Sequence, residues 1–303
     1  MTEKVRITFL GTAASVPSAK RNPSAIFLQY KDEVILIDCG EGTQRQIRKA
    51  KLNPCRINKI LVTHWHGDHV FGMPALFQTL VLSGYNRKMQ IFGPKGTKQF
   101  MKNFVNIFVP VFKFDAQVSE VELFNKPFFE TDDFYLEAEK MEHGIPTNAY
   151  NFVIKDKFRI DKEKLKKSKL STGKHLSELQ KGNDVVYDGK KYKAKDFLYE
   201  EKGKKISIVL DTKFNSRIEK FVQNANLFIC ESSFDSELEE TANEHLHMTA
   251  GQVGKIAKKA KVKKLILTHV SQRYDLKLKE LLDDAKKEFK DVQIAKDFDE
   301  VEI

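Results

Sequence analysis

The sequence predicts an α/β fold, and three features indicate it. Short apolar runs alternate with stretches of helical periodicity, the runs end in Gly or in an acidic or histidine residue, and polar residues gather where the runs end. Buried strands of an α/β sheet have this pattern, and α/β folds place their functional sites beyond the carboxyl ends of such strands.

In chain order, the apolar runs that predict strands are VRITFLG (5–11), VILIDCGEG (34–42), KILVTH (59–64), KMQIFGP (88–94), ISIVLD (206–211), NLFICES (226–232) and KLILTH (264–269). The segments that predict helices between them include GTQRQIRKAKL, GTKQFMKNFVNIF, NSRIEKFVQNA and TAGQVGKIAKKA. The polar residues just past the strand ends are Asp38, His64, Asp211, Glu231 and His269.

The composition favours a protein that folds without covalent cross-links. The chain has 303 residues, 41% of them hydrophobic, with 23 Phe to fill a core. Cys39, Cys55 and Cys230 are odd in number and form no CxxC pair, so neither a disulfide framework nor a cysteine metal site is predicted. The charged N-terminal stretch and the lack of an apolar run of about 18 residues predict no signal peptide and no membrane partner. We expect a cytoplasmic location.

The net charge of +10 is concentrated in one segment. Residues 155–205 contain 17 Lys and Arg against 9 Asp and Glu, whereas the rest of the chain is almost balanced. The segment is also poor in apolar runs. We therefore predict a catalytic domain formed by 1–154 and 206–303, and a basic arm inserted between its halves at 155–205. A solvated lysine-rich loop is the alternative.

A cluster of metal-binding residue types follows the third apolar run. The segment THWHGDH places His64, His66, Asp68 and His69 within six positions, and imidazole nitrogens and carboxylate oxygens are the donors that zinc accepts. Single histidines elsewhere complete the set of eight: His143, His175, His245, His247 and His269. Because one cluster cannot complete a two-metal site, the histidines and aspartates at other strand ends are the candidates for the remaining ligands.

HWHGDH, His143, Asp211 and His269, in this order and spacing, resemble the metallo-β-lactamase superfamily. Within it, the sequence is similar to the short-form ribonuclease Z family in the segments FLGTAASVPSAKRNPSA, DCGEGTQRQ, HGDHVFGMPAL, IFGPKGTKQF, LDTK, CESSF, HMTA and LTHVSQRY. The resemblance covers essentially the whole chain. It implies a metallo-β-lactamase αβ/βα four-layer sandwich with an inserted arm, and a zinc-dependent endoribonuclease that removes the 3′ trailer of precursor tRNA by hydroxide attack, leaving a 3′-hydroxyl on the tRNA and a 5′-phosphomonoester.

The resemblance also implies the ligands of two Zn²⁺ per subunit, replaceable by Mn²⁺ or another divalent metal. It assigns three histidines to one ion, and Asp68, His69 and His269 to the second, with Asp211 bridging. The first set is His64, His66 and His143. Such a site leaves coordination open for a nucleophilic water.

Other roles are carried over in the same way. Asp68 orients or deprotonates the water, Glu231 and His247 together deliver a proton to the leaving 3′ oxygen, and Arg273 clamps a phosphate. Two positions depart from the family pattern. Met248 stands where a hydroxyl residue is usual, and Cys230 where a histidine is usual.

Residues 155–205 occupy the position of the tRNA-binding arm of ribonuclease Z, a flexible insertion in that family. Its lysines, among them Lys164, Lys166, Lys167 and Lys169, are expected to bind tRNA phosphates without reading sequence. Precursor tRNA is thus the expected partner, no DNA is expected, and the resemblance implies a homodimer. The alternative is a small-molecule phosphodiesterase or another hydrolase of the same fold, with an incidental arm. An RNA-binding module with a structural metal is disfavoured, because seven intact ligands leave an open site.

Overall fold

The computed structural model describes residues 4–107, 115–124, 126–168, 170–171 and 173–303. Two seven-stranded mixed sheets form the larger unit. In order across the first sheet, the strands are β18 (Glu300–Glu302), β1 (Val5–Gly11), β2 (Ala25–Tyr30), β3 (Glu33–Ile37), β4 (Lys59–Leu61), β5 (Met89–Gly93) and β6 (Ala116–Glu120). The order across the second is β17 (Val292–Ile294), β16 (Leu265–Thr268), β15 (Leu227–Glu231), β14 (Lys205–Val209), β9 (Ile145–Ile154), β8 (Phe134–His143) and β7 (Pro127–Glu130).

Each sheet has a parallel section, and these sections carry the polar strand ends. β3, β4, β5 and β6 run parallel in the first sheet, and β14, β15, β16 and β17 in the second. Parallel neighbours end at the same edge of a sheet. The residues that follow β3, β4, β14, β15 and β16 therefore gather in two groups of loops.

Helices cover the outer face of each sheet. Those that connect strands of the first sheet are α1 (Thr43–Lys49), α2 (Gly67–Val70), α3 (Met73–Leu82) and α4 (Thr97–Ile107). Those of the second are α8 (Ser216–Phe221), α9 (Glu239–Glu244), α10 (Ala250–Lys259) and α11 (Leu278–Lys286). Short 3₁₀ turns lie at Pro54–Arg56, Ser236–Leu238 and Gln272–Tyr274. A capping box between Thr249 and Gln252 fixes the start of α10.

Aromatic side chains join the inner faces of the two sheets. The rings of Tyr30 and Phe152 meet edge to face with centroids 5.5 Å apart, and the Tyr150 hydroxyl donates to the carbonyl of Val62 at 2.7 Å. Separate apolar clusters lie under each helical layer. The arrangement is the predicted four-layer αβ/βα sandwich, in which both sheets are covered on the outside by helices and on the inside by each other.

Strands β2, β6, β7, β8, β9, β17 and β18 of the two sheets were not among the predicted runs. The burial of β8 alternates along much of its length, since one of its faces is only partly covered. Its sequence, FYLEAEKMEH, consequently mixes apolar and charged residues instead of forming a continuous apolar run. Among the described residues, no helix is long and apolar enough to cross a bilayer.

A second compact unit comprises residues 131–135 and 153–204. It contains β10 (Lys157–Ile160), α5 (Lys162–Lys167), α6 (Lys174–Gln180), β11 (Val185–Tyr187), β12 (Lys190–Tyr192), α7 (Ala194–Phe197) and β13 (Leu198–Glu201). β10 pairs antiparallel with β13, and β11 with β12. Leu170, Leu179, Tyr192 and Ala194 are buried together in a small core of its own.

Candidate metal centre

The residues expected to bind metal follow strands of both sheets. His64 lies three residues beyond β4, His143 ends β8, Asp211 follows β14, and His269 follows β16. The remaining three expected ligands are carried by the turn and short helix after His64. His66 precedes α2, Asp68 lies in its first turn, and His69 lies in its last turn.

Three histidines form the first cluster. His66 Nδ1 lies 3.0 Å from His64 Nε2 and 3.2 Å from His143 Nε2. These three ring nitrogens lie close together with no carboxylate among them, and three histidines are a donor set that zinc accepts.

The second cluster combines imidazoles and carboxylates. His69 Nε2 lies 3.3 Å from His269 Nε2, and Asp68 Oδ2 lies 3.2 Å from the former and 3.5 Å from the latter. Asp211 completes this group, with its Oδ1 atom 3.1 Å from His269 Nε2.

Asp211 contacts both clusters, and its Oδ2 atom lies between them, 3.5 Å from His69 Nε2 of the second cluster. Its Oδ2 atom is 3.6 Å from His64 Nε2 and 3.5 Å from His143 Nε2, while Oδ1 faces His269. Within the described part of the chain, this Oδ1 is buried and accepts no hydrogen bond. A buried carboxylate oxygen without a donor is costly unless a cation satisfies it. The residues present therefore fit divalent metal ions.

Neighbouring groups orient the ligand rings. Asp38 Oδ2 lies 2.6 Å from His69 Nδ1, and the amide and hydroxyl of Thr63 both donate to the same carboxylate at 2.7 Å. His143 Nδ1 donates to the carbonyl of Leu246 at 3.0 Å. Such partners fix the ring orientation and leave Nε2 free for a metal. The sequence marked Asp38 as a strand-end residue without predicting this role.

Ser233 is a second residue that the sequence did not single out. Its hydroxyl lies 3.1 Å from His269 Nδ1 and donates to Glu231 Oε2 at 2.9 Å. It therefore connects a ring of the second cluster to the residues expected to supply a proton. Its position two residues after a strand-end Glu was the signal available in the sequence.

The electrostatics also favour cation binding. Burial raises the pKa of Asp211, but His269, His69 and other imidazoles more than offset it and hold the pKa well below its ordinary range. Burial lowers the pKa of His69, but the Asp211 and Asp38 carboxylates raise it well above the usual value. A divalent cation would replace that proton, because imidazole coordinates in its neutral form.

Three residues around the centre have left-handed backbones that non-glycine residues rarely adopt. The φ angles are 55° for Asp38, 21° for Asp211 and 53° for His269. Each such conformation costs roughly 1–3 kcal/mol and persists only where the surroundings enforce it. All three are residues that turn a side chain inward directly after a buried strand.

His247 and Glu231 form an ion pair beside the two clusters. His247 Nδ1 lies 2.9 Å from Glu231 Oε1, and the carboxylate is fully buried. Burial lowers the pKa of His247, but the charge and hydrogen bond of Glu231 more than offset this effect and raise it to about 9. The ring centroid of His247 is 4.9 Å from that of His143. A protonated imidazole therefore adjoins the centre.

One cavity of about 350 Å³ is lined by residues of both clusters together with His247 and Arg273. The cluster residues in its lining are His66, Asp68, His143 and Asp211. The exposed Arg273 guanidinium lies over the ring of Phe234, 4.8 Å from its centroid, and this contact aims it across the opening. Of the two departures noted in the sequence, Met248 is fully buried in the apolar cluster under α10 and Cys230 is buried within β15. Neither side chain lines the described cavity.

The expected arm lysines belong to the second unit. Lys164, Lys166 and Lys167 lie on α5, where Lys166 pairs with Glu163 at 3.4 Å, whereas Lys169 lies outside the described residues. A cavity of about 650 Å³ within this unit is lined by five lysines. They are Lys164, Lys167, Lys190, Lys191 and Lys193.

Sequence comparison finds close relatives along the full length of the chain. A protein named ribonuclease Z from Methanosarcina acetivorans is 36% identical over 99% of this chain and 98% of its own. A ribonuclease Z from Prochlorococcus marinus strain MIT 9301 is 40% identical over 99% of this chain and 100% of its own. Residues 5–171 match the family described as anti-Pycsar protein Apyc1.

Solved structures agree with the sequence comparison. The short form of human tRNase Z is 27% identical, with a TM-score of 0.70, and the match covers 98% of each chain. YhfI of Bacillus subtilis, a metallo-β-lactamase fold protein, is 19% identical with a TM-score of 0.72 over 100% of each chain, which speaks for the fold alone.

Proposed function

Since this chain belongs to the ribonuclease Z family, and by residues 5–171 also to the family described as anti-Pycsar protein Apyc1, we propose that it removes the 3′ trailer of precursor tRNA. It is a hydrolase, an endoribonuclease that leaves a 3′-hydroxyl on the tRNA and a 5′-phosphate on the trailer. The observation that carries this proposal is the cavity in which two ligand clusters, joined by Asp211, adjoin the protonated His247.

The metal ligands proposed are the seven residues expected from the sequence. One set is His64, His66 and His143, the other is Asp68, His69 and His269, and Asp211 contacts both. We propose zinc, two ions per subunit, because imidazole dominates the donor set. Bound there, the ions supply Lewis acidity to the phosphate and lower the pKa of a water.

The remaining steps belong to side chains of this chain. The Ser15 amide donates a hydrogen bond to Asp68 Oδ2 at 3.0 Å. This bond fixes the carboxylate, which orients the attacking water. His247, held protonated by Glu231, donates its proton to the leaving 3′ oxygen, whose negative charge would otherwise make it a poor leaving group. Arg273 binds a nonbridging phosphate oxygen from the edge of the cavity.

The arm, residues 155–205, supplies affinity for tRNA and no metal ligand. Its lysine-lined cavity supports this role, because five ammonium groups near one surface attract phosphates whatever the base sequence. Lys164 and Lys167 are among them, and Lys166 and Lys169 are neighbours in sequence. We further propose, from the family resemblance, a cytoplasmic homodimer, which light scattering on the purified protein would test.

A digest tests the proposal. The zinc-loaded protein is incubated with a 5′-labelled precursor tRNA and, separately, with an aryl phosphodiester, and the RNA product is mapped. One cut at the tRNA 3′ end is expected, whereas hydrolysis of the small ester alone would favour the alternative of a small-molecule phosphodiesterase. Replacing the arm by a short Gly and Ser linker should abolish tRNA processing and preserve zinc content and ester hydrolysis. Unchanged KM for tRNA would show that the arm is an ordinary surface loop.

A further inference from the structure

A second cavity opens beside the metal centre. It has a volume of about 510 Å³, within the range of small-ligand pockets, and among the described lining residues it shares only His143 with the active-site cavity. Much of its surface is apolar. The apolar side chains that line it are Pro94, Val121, Phe124, Met141, Ile145, Pro146 and Leu246.

Charged side chains lie around this apolar surface, with one more lysine than carboxylate among the described lining residues. Lys95, Lys140 and Lys213 line the cavity with two carboxylates, Glu122 and Glu142. Glu142 is engaged, because Lys213 lies 3.3 Å from one of its oxygens and Arg217, outside the lining, donates to the other at 2.5 Å. A ligand with a flat apolar body and an anionic group attached to it, such as a nucleotide, complements this combination.

The polar side chains deepest in the lining are already paired. The buried Thr147 hydroxyl donates to the carbonyl of Ile145 at 3.0 Å, and the buried Asn148 amide donates to the carbonyl of Val121 at 2.9 Å. Both side chains thus donate a hydrogen bond within the protein. The cavity therefore suits stacking against Phe124 and aliphatic side chains, which every base permits.

The residues that line each cavity indicate which side of the cleaved bond the second cavity serves. His247, which protonates the tRNA 3′ oxygen, and Arg273 line the active-site cavity and are absent from the described lining of the second. On the proposed function the tRNA end of the bond lies at His247, so the RNA on the other side of the phosphate can extend past His143 toward the second cavity. His143 is connected to the second cavity by its own hydrogen bond to the carbonyl of Leu246.

We infer that this cavity binds the first nucleobase of the trailer, immediately 3′ of the cleaved phosphate, and that Lys140 binds the next phosphate. The inference rests on the proposed function, because it assumes an RNA chain across the metal centre. Unstacked bases held by aromatic and apolar side chains are the usual way in which proteins grip single-stranded RNA. The predicted trailer site accepts any of the four nucleobases, but it requires that a nucleobase be present.

Two matched precursors test it on the unmodified protein. Both carry the same tRNA and trailer, but one has an abasic ribose at the first trailer position. Because stacking of one base is worth about 1–3 kcal/mol, kcat/KM should fall roughly 5- to 150-fold for the abasic precursor. Equal rates would overturn the inference and leave the proposed function intact, whereas failure to cut either precursor would refute the proposed function and the inference with it.

A variant identifies the cavity as the place where the base binds. Phe124→Ala should slow cleavage of the normal precursor and show little further loss with the abasic one, since the two changes remove the same contact. Leu123→Ala is the matched control, because the neighbouring side chain is 64% exposed and does not line the described cavity. Losses that multiply for Phe124→Ala and the abasic site, or equal losses in both variants, would show that the base binds elsewhere.

Discussion

The substitution Glu231→Gln removes the negative charge next to His247 and keeps the shape of the side chain that carried it. The amide keeps the size of the carboxylate, and its oxygen can still accept from the Thr212 amide, now 2.8 Å away, and from His247 Nδ1. Its NH₂ group can donate to the Ser233 hydroxyl, which at present donates to Glu231. The fold and the metal ligands should therefore be retained while the negative charge is lost.

The expected size follows from the pKa of His247. Burial acts to lower it, yet the partnership with Glu231 raises it from 6.5 to about 9. This increase corresponds to roughly 3 kcal/mol in favour of the imidazolium at about 1.36 kcal/mol per pKa unit. At pH 8 a group with a pKa of about 9 is about nine-tenths protonated. Without the Glu231 charge the pKa falls toward or below the ordinary 6.5, where at most about 3% is protonated, so RNA cleavage should fall by roughly 30-fold or more.

The sign of the pH dependence follows from the active form. The proton donor is present below its pKa and is lost as the pH rises through it. Cleavage by the unmodified protein should therefore decline only at alkaline pH, and cleavage by Glu231→Gln should decline at a distinctly lower pH. The separation between the two kcat/KM profiles is the quantity to measure, because bound metals shift both profiles in the same direction.

An ester with a nitrophenolate leaving group provides the control. Nitrophenolate departs without a proton, so Glu231→Gln should hydrolyse this ester at nearly the original rate. His247→Ala should slow RNA cleavage by about 10²- to 10⁴-fold and likewise spare the ester. Equal losses on RNA and ester in either variant, or superimposable pH profiles, would refute the assignment of His247 as the proton donor.

Three further predictions concern binding. Asp211→Ala should lose bound metal, measured by elemental analysis, together with hydrolysis of both substrates. His175→Ala, in the second unit, is the control and should lose neither. Full activity of metal-free Asp211→Ala protein would contradict the two-metal site. Asp38→Asn should weaken metal affinity by about 10- to 100-fold in chelator competition, because it alters the partner of His69, and an unchanged affinity would show that Asp38 acts in folding alone. Changing Lys190, Lys191 and Lys193 to Gln should lower the salt slope of tRNA binding by about one per lost phosphate contact, and an unchanged slope would exclude that surface.

The ligand residues were predictable because their environments have a strong sequence signal. A continuous apolar run followed by His or Asp indicates a buried strand that ends at a site, and this rule led to His64, Asp211 and His269. His143 followed from the family resemblance, since β8 has partly exposed residues along its length and gives no such run.

The groups around the ligands were not predictable in the same way. The hydrogen bond between Asp38 and His69 joins residues 31 positions apart, and the one between Ser233 and His269 joins residues 36 apart. Such pairs depend on which strands lie side by side in a sheet, β3 beside β4 and β15 beside β16, which no local pattern encodes. The core of the second unit was also missed, because its apolar residues are scattered singly among lysines and meet only after the chain folds.

The small core of the second unit bears on which part of the protein opens first. Among the described residues, the core cluster of that unit has four buried apolar side chains, while the clusters under the two sheets contain many more. Local opening free energies follow the amount of buried contact, so amides of α5 and α6 should exchange with solvent through a low-energy opening that the sheets do not share. Limited proteolysis should accordingly cut within 153–204 while the two sheets remain folded. If this unit binds tRNA as proposed, cellular proteases would end tRNA processing by removing it and would leave the hydrolysis of small esters intact.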